Sequence, residues 1–169
     1  MTRILLSLPL LLLLAPAVSA QDMPLSQILI DGEGWKKAER TADAPAATKP
    51  TVVSADGGTV YSWEPGERFL HAAIRSPAGP VARSPYAPLR LKVGDKEATV
   101  SALAADRDGR IYAATPAGVQ VFDPTGRLCG VVVSPGRGRV EGLAFEGDTL
   151  TAWVENATYT RRLNTSGVK

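Results

Sequence analysis

The sequence predicts an all-β protein, a partial β-propeller-like meander of small antiparallel sheets with about three blade-like units. Three observations predict it. Beyond the first 20 residues the apolar runs are short, and none shows the sustained 3.6-residue period of a helix. The gaps between runs carry Gly, Pro and Asp, which supply the positive φ or the fixed φ near −65° that tight turns need. An apolar strand, an acidic-Gly turn and a strand with an aromatic recur at a spacing of about 40 to 50 residues, the signature of blade repeats.

The first segment is of another kind. Arg3 gives a positive start, Ile4 to Leu14 an apolar core broken only by Ser7 and Pro9, and Val18-Ser19-Ala20 a small-residue cleavage pattern, so residues 1–20 read as a secretory signal removed after Ala20. The apolar stretch is shorter than the roughly 20 residues a membrane span requires. No Cys follows the cleavage point to carry a lipid. The expectation is an exported protein, secreted or periplasmic, with no membrane contact after cleavage.

Residues 21–50 are expected to hold a strand over Ser26 to Ile30, a turn through Asp31-Gly32-Glu33-Gly34-Trp35, and a surface connection over Thr41 to Pro50, where Ala, Pro and Thr replace large apolar residues. Residues 51–169 form the propeller-like domain. Thr51 to Ser54 and Thr59 to Trp63 make a hairpin across Ala55-Asp56-Gly57-Gly58. Arg68 to Arg75 is a strand, and Ser76 to Pro88, with four prolines, is expected to lie outside the sheets because Pro cannot donate to a ladder. The richest stretch is Thr99 to Val133. Val100 to Ala105, Ile111 to Ala114, Val119 to Phe122 and Leu128 to Val133 are separated by Asp106-Arg107-Asp108-Gly109, Thr115-Pro116-Ala117-Gly118 and Asp123-Pro124-Thr125-Gly126. Ser134 to Arg139 is a basic glycine loop, and Val140 to Phe145, Thr149 to Val154 and Thr158 to Leu163 are the last strands. The repeat comprises Val52 to Tyr61, Leu103 to Tyr112, and Leu143 to Trp153.

Composition narrows the function classes. The 169 residues are 44% hydrophobic and 21% charged with a net charge of +2, an ordinary globular balance. Lys and Arg are scattered apart from Lys36-Lys37 and Arg161-Arg162, so no basic stripe with interleaved aromatics points to nucleic acid. The single cysteine, Cys129, forms no internal disulfide and reads as a small buried hydrophobe. The single histidine, His71, lies in an apolar strand with no Gly-x-Ser-x-Gly elbow anywhere, which leaves a Ser-His-Asp nucleophile without its parts. One His and one Cys also exclude the usual intrachain zinc set. Asp106-Arg107-Asp108-Gly109 reads as a turn, since the further ligands of a calcium loop are absent. Asn156-Ala157-Thr158 and Asn164-Thr165-Ser166 are sequons that matter only in a host that glycosylates exported proteins.

Ala104 to Leu128, AADRDGRIYAATPAGVQVFDPTGRL, resembles the closing blades of the SMP-30/gluconolactonase/LRE-like six-bladed β-propellers, and Leu143-Ala144-Phe145 and Arg161-Arg162-Leu163-Asn164 fit the same blade order. The resemblance is specific over about residues 99 to 165. It implies a sugar-lactone hydrolase holding one divalent cation, such as calcium, in a central channel by a Glu, an Asn and an Asp, oxygen donors that suit a hard cation. The departures are equally specific. The pair corresponding to the family's Asp-Gly is Ser101-Ala102, the position of the first-blade Glu falls near Lys49-Pro50, and no channel Asn can be placed.

The sequence therefore assigns no catalytic, cofactor-binding or metal residue. It favours a degenerate module acting in binding or structure, whose partner is an unknown small molecule or protein, with a compact monomer slightly favoured over a dimer. The alternative is an active, cation-dependent lactone hydrolase completed by another chain, with Glu141, Asp106 and Asp108 as the nearest carboxylates.

Overall fold

A computed structural model describes residues 23–39 and 50–168. The expected signal segment and nearly all of the 41–50 connection lie outside them.

Twelve strands form three four-stranded antiparallel sheets. The first sheet holds β2 (Thr51–Val53), β3 (Thr59–Ser62), β4 (Phe69–Ile74) and β5 (Val81–Pro88) in that order. The middle sheet is β6 (Ala102–Ala105), β7 (Ile111–Thr115), β8 (Gly118–Phe122) and β9 (Leu128–Val132). The third runs β10 (Val140–Glu146), β11 (Thr149–Val154), β12 (Ala157–Arg162), with β1 (Lys36–Ala38) as its outer edge. Each copy of the repeat is thus the first hairpin of one sheet, and β6 lies against both β2 and β10.

The middle sheet is the core. Every residue of β6, β7 and β8 is buried. Because side chains alternate across a strand, Leu103, Ala105, Ile111 and Ala113 join Tyr61, Trp63 and Leu70 on one side. Ala102, Ala104, Tyr112, Val119 and Val121 join Leu143, Leu150, Ala152 and Val154 on the other. Full burial of such side chains stabilises by about 1.5–3 kcal/mol each for the larger ones, so the stretch read as central in the sequence supplies both interfaces. The outward faces differ. On β11, Leu150, Ala152 and Val154 are buried while Thr149, Thr151 and Trp153 point away from the middle sheet, and Thr151 pairs with Thr160. The outward side of the first sheet carries Ser62 opposite His71.

Two expectations are corrected. Ser26 to Ile30 is not a strand: Leu25–Gln27 is a single 3-10 turn after Pro24, and Leu29 makes only an isolated bridge to Leu163. Leu25, Ile28 and Leu29 are spaced three and four residues apart, which puts them on one side of a turn, and Ile28 is fully buried between the middle and third sheets. The segment becomes a strap whose continuation, Lys36-Lys37-Ala38, pairs with β12. An edge strand carrying lysines has no apolar alternation to betray it. The second correction is Ser76 to Pro88, of which Val81–Pro88 is β5 and pairs with β4. β5 is the sheet's free edge, its register shifts twice, and Ala82 sits at φ 54°, so prolines that a central strand could not accept are tolerated. The other strands fall within a residue or two of expectation.

Candidate functional site

The starts of β6 and β10, the β7–β8 turn and the β9–β10 connection gather at one end of the molecule. Ser101, just before β6, is buried. Its N–H donates to the Ala114 carbonyl at 3.0 Å, and its hydroxyl donates to the main-chain oxygen of Val140, with the Ala114 oxygen at 3.3 Å. The one hydroxyl proton is spent fastening β6 to β10. This is the position where the resemblance calls for an Asp, and a cation placed here would meet a neutral hydroxyl committed to carbonyls. Glu141 is exposed at the start of β10. Among the described residues, no group of three His, Cys, Asp or Glu side chains could hold a metal ion. The described residues therefore do not fit a tightly held calcium ion, which takes six to eight oxygen ligands including carboxylates.

Beside Ser101 opens a cleft of about 400 Å³. Lys92, Arg137 and Arg139 line it with Thr115, Ser134, Val133 and Pro116. The glycines of the Ser134 to Arg139 loop set its path. Gly136 adopts φ +72°, and a Cβ on Gly138 would come within 2.7 Å of a Glu155 carboxylate oxygen.

The other carboxylates singled out in the sequence do not join this end. Asp106 lies at the far end of β6, fully buried. Its Oδ1 accepts the N–H groups of Asp108 (3.0 Å) and Arg110 (2.9 Å), and its Oδ2 accepts Arg110 Nη1 (3.2 Å) and the Tyr112 hydroxyl (3.0 Å). Asp108 accepts Arg110 at 3.0 Å and the Thr165 hydroxyl at 3.1 Å. Burial, reinforced by the Asp106 charge, pushes the Tyr112 phenol far above its ordinary value. This network is a structural lock with no open position for a substrate. His71 lies on the outward side of the first sheet, its Nδ1 3.1 Å from Glu67 Oε2, and the Arg83 hydrogen bond holds Glu67 below the usual carboxylate range. Cys129 is half-buried against the core between the middle and third sheets, a partial match to the buried hydrophobe expected, and burial pushes its thiol up. Lys49 lies outside the described residues.

Comparison with solved structures settles the architecture. A gluconolactonase of Xanthomonas campestris matches with TM-score 0.56 at 24% identity over 72% of this chain and 39% of its own. The calcium-binding protein regucalcin of Agrobacterium tumefaciens matches with TM-score 0.57 at 18% identity, over 70% and 46%. The chain has the fold of the SMP-30/gluconolactonase/LRE-like β-propellers. A luciferin-regenerating enzyme matches similarly, with TM-score 0.55 at 15% identity over 72% and 48%. No family model and no curated protein matches the sequence. The chain spans less than half the length of each of these propellers, so its three sheets are blades of a partial ring.

Within this propeller fold, the loop Ser134 to Arg139 was legible as basic and glycine-rich, but Lys92 was not legible as its neighbour. Lys92 reaches the cleft from the connection between the first and middle blades, some 40 residues earlier, and only tertiary packing brings the two together.

Proposed function

We propose that the chain is an exported, propeller-derived binding module that has lost the cation-dependent lactone chemistry of the proteins it resembles. The observation that carries the reading is Ser101: where a channel carboxylate is needed, a neutral hydroxyl is buried and used to join β6 to β10. Without carboxylates to hold it, no cation is in place to polarise a lactone carbonyl. The expected result is gluconolactone hydrolysis no faster with millimolar calcium than with chelator, and a calorimetric calcium titration without saturable heat. Calcium-dependent turnover by the purified chain overturns the reading.

One observation favours the rival, a lactone hydrolase completed by another chain: Glu141 stands exposed at the start of an innermost strand, free to face a second partial ring. That rival requires turnover that appears with calcium and is lost in Glu141→Gln.

We also propose that the module is a compact monomer. Terminal units of a stacked repeat need polar outer faces to remain soluble. The outward residues of β11, Thr149 and Thr151 beside Trp153, and the Ser62, His71, Glu67 and Arg83 group of the first blade supply polar cover, next to the exposed Phe69, Ile74 and Val81 of the same blade. Light scattering at micromolar concentration is expected to give the mass of one chain. Twice that mass would show that two half-rings close on each other.

A further inference from the structure

We infer that the cleft between the β7–β8 turn and the Ser134 to Arg139 loop binds a small organic oxyanion, a carboxylate or phosphate carried on a monosaccharide-sized body. The inference rests on the binding-module reading and gives that module a ligand chemistry. Its lining contains three cations, Lys92, Arg137 and Arg139, and no acidic side chain. Glu155 abuts the loop at Gly138, Glu141 follows the last lining residue, and Asp95 and Glu97 line an adjoining hollow that shares Lys92, Thr115 and Pro116, but none of the four lines this cleft. Arg137 and Arg139 make no ion pair or hydrogen bond to another described residue, so both guanidinium groups keep their donors for a ligand. Three cations around one concavity repel each other, and an anion in their midst relieves that repulsion while accepting charge-assisted hydrogen bonds.

The walls specify more than charge. Val133 is 79% exposed, and it lines the cleft with Pro116 and Ala117, an apolar surface against which a ring or alkyl body can lie. Ser134 adds a neutral hydroxyl on the same loop. A cleft of about 400 Å³ lies in the lower part of the usual range for small-molecule sites, roughly 300–1,000 Å³. It is too small for a strand of nucleic acid, and its charge is confined to one pocket, not drawn out as a stripe.

Isothermal titration of the purified chain with inorganic phosphate, glucuronate and glucose tests this at low ionic strength. Phosphate and glucuronate are expected to bind saturably and glucose not to bind. The double variant Arg137→Ala/Arg139→Ala is expected to weaken both anions at least tenfold, with an unchanged thermal midpoint because neither side chain supports the fold. Arg75→Ala, an exposed cation on the first blade, is expected to leave affinity unchanged. If the double variant binds like the parent, if Arg75→Ala weakens binding equally, or if glucose binds as well as glucuronate, the inference is wrong. Calcium-dependent lactone turnover is measured separately, so failure of anion binding without turnover removes this inference and leaves the binding-module reading standing.

Discussion

Asp106→Ala is expected to destabilise the protein by about 3–5 kcal/mol, the cost of stripping one partner from a buried ion pair. Asp106 is fully buried and Arg110 is 4% exposed, so removing the carboxylate leaves the Tyr112 hydroxyl without its acceptor and the Arg110 guanidinium with only Asp108 and Gln27 to accept from it, in a place water does not reach. The network lies where residues 165–167 dock: Asp106 bridges Gly167 through the main chain, Arg107 N–H donates to the Ser166 carbonyl at 2.9 Å, and Thr165 holds Asp108. Asp108→Ala supplies the contrast. Its side chain is 41% exposed, so water screens it and Asp106 still holds Arg110 when it is removed, and the expected loss is about 1 kcal/mol. Urea denaturation of both variants checks the prediction, and equal losses would show that the Asp106 network is not the lock of the middle blade.

Gly126→Ala is expected to cost about 2–5 kcal/mol, for two reasons that add. Gly126 sits at φ +84°, where an L residue loses roughly 1–2 kcal/mol. A Cβ there would also lie 2.1 Å from the main-chain oxygen of Tyr86, and relieving a backbone clash by overpacking costs about 1–3 kcal/mol. The clash falls where the first blade meets the middle one. The Tyr86 hydroxyl donates to the Asp123 carbonyl, and its ring lies 4.6 Å from that of Tyr61. Gly66→Ala isolates the first reason, since Gly66 has φ +89° and nothing within 4 Å, and it is expected to lose about 1–2 kcal/mol. Thermal midpoints of the two variants that coincide would show that the turn can move away from Tyr86.

Most of the fold was written locally. Each turn of the middle blade is closed by its own residues: Asp123 accepts the N–H groups of Thr125 and Arg127 at 2.8 and 3.0 Å, and Thr115 closes Ala117 and Gly118. Interactions of two to four residues' span are readable from composition because nothing distant is needed to complete them. The same holds for the repeat, whose three copies became three first hairpins. The candidate site was half legible. The SPGRGR loop stood out as basic and glycine-rich, and Ser101 stood out by its mismatch with an expected Asp, yet neither spacing nor charge could say that Lys92 would complete the cleft.

By itself, then, the sequence determined an all-β chain of three short-stranded units, their turns and the residues that fill the middle blade, since alternation and turn chemistry act over a few residues. The tertiary structure decided the rest. It turned Leu25 to Leu29 into a strap, placed Lys36 to Ala38 beside β12, admitted the proline-rich Val81 to Pro88 as a free edge, and spent the Ser101 hydroxyl on Val140. Each of those outcomes depends on a partner far away in the chain, and edge strands and buried hydroxyls take their roles from the neighbour that packing brings, which no local pattern encodes.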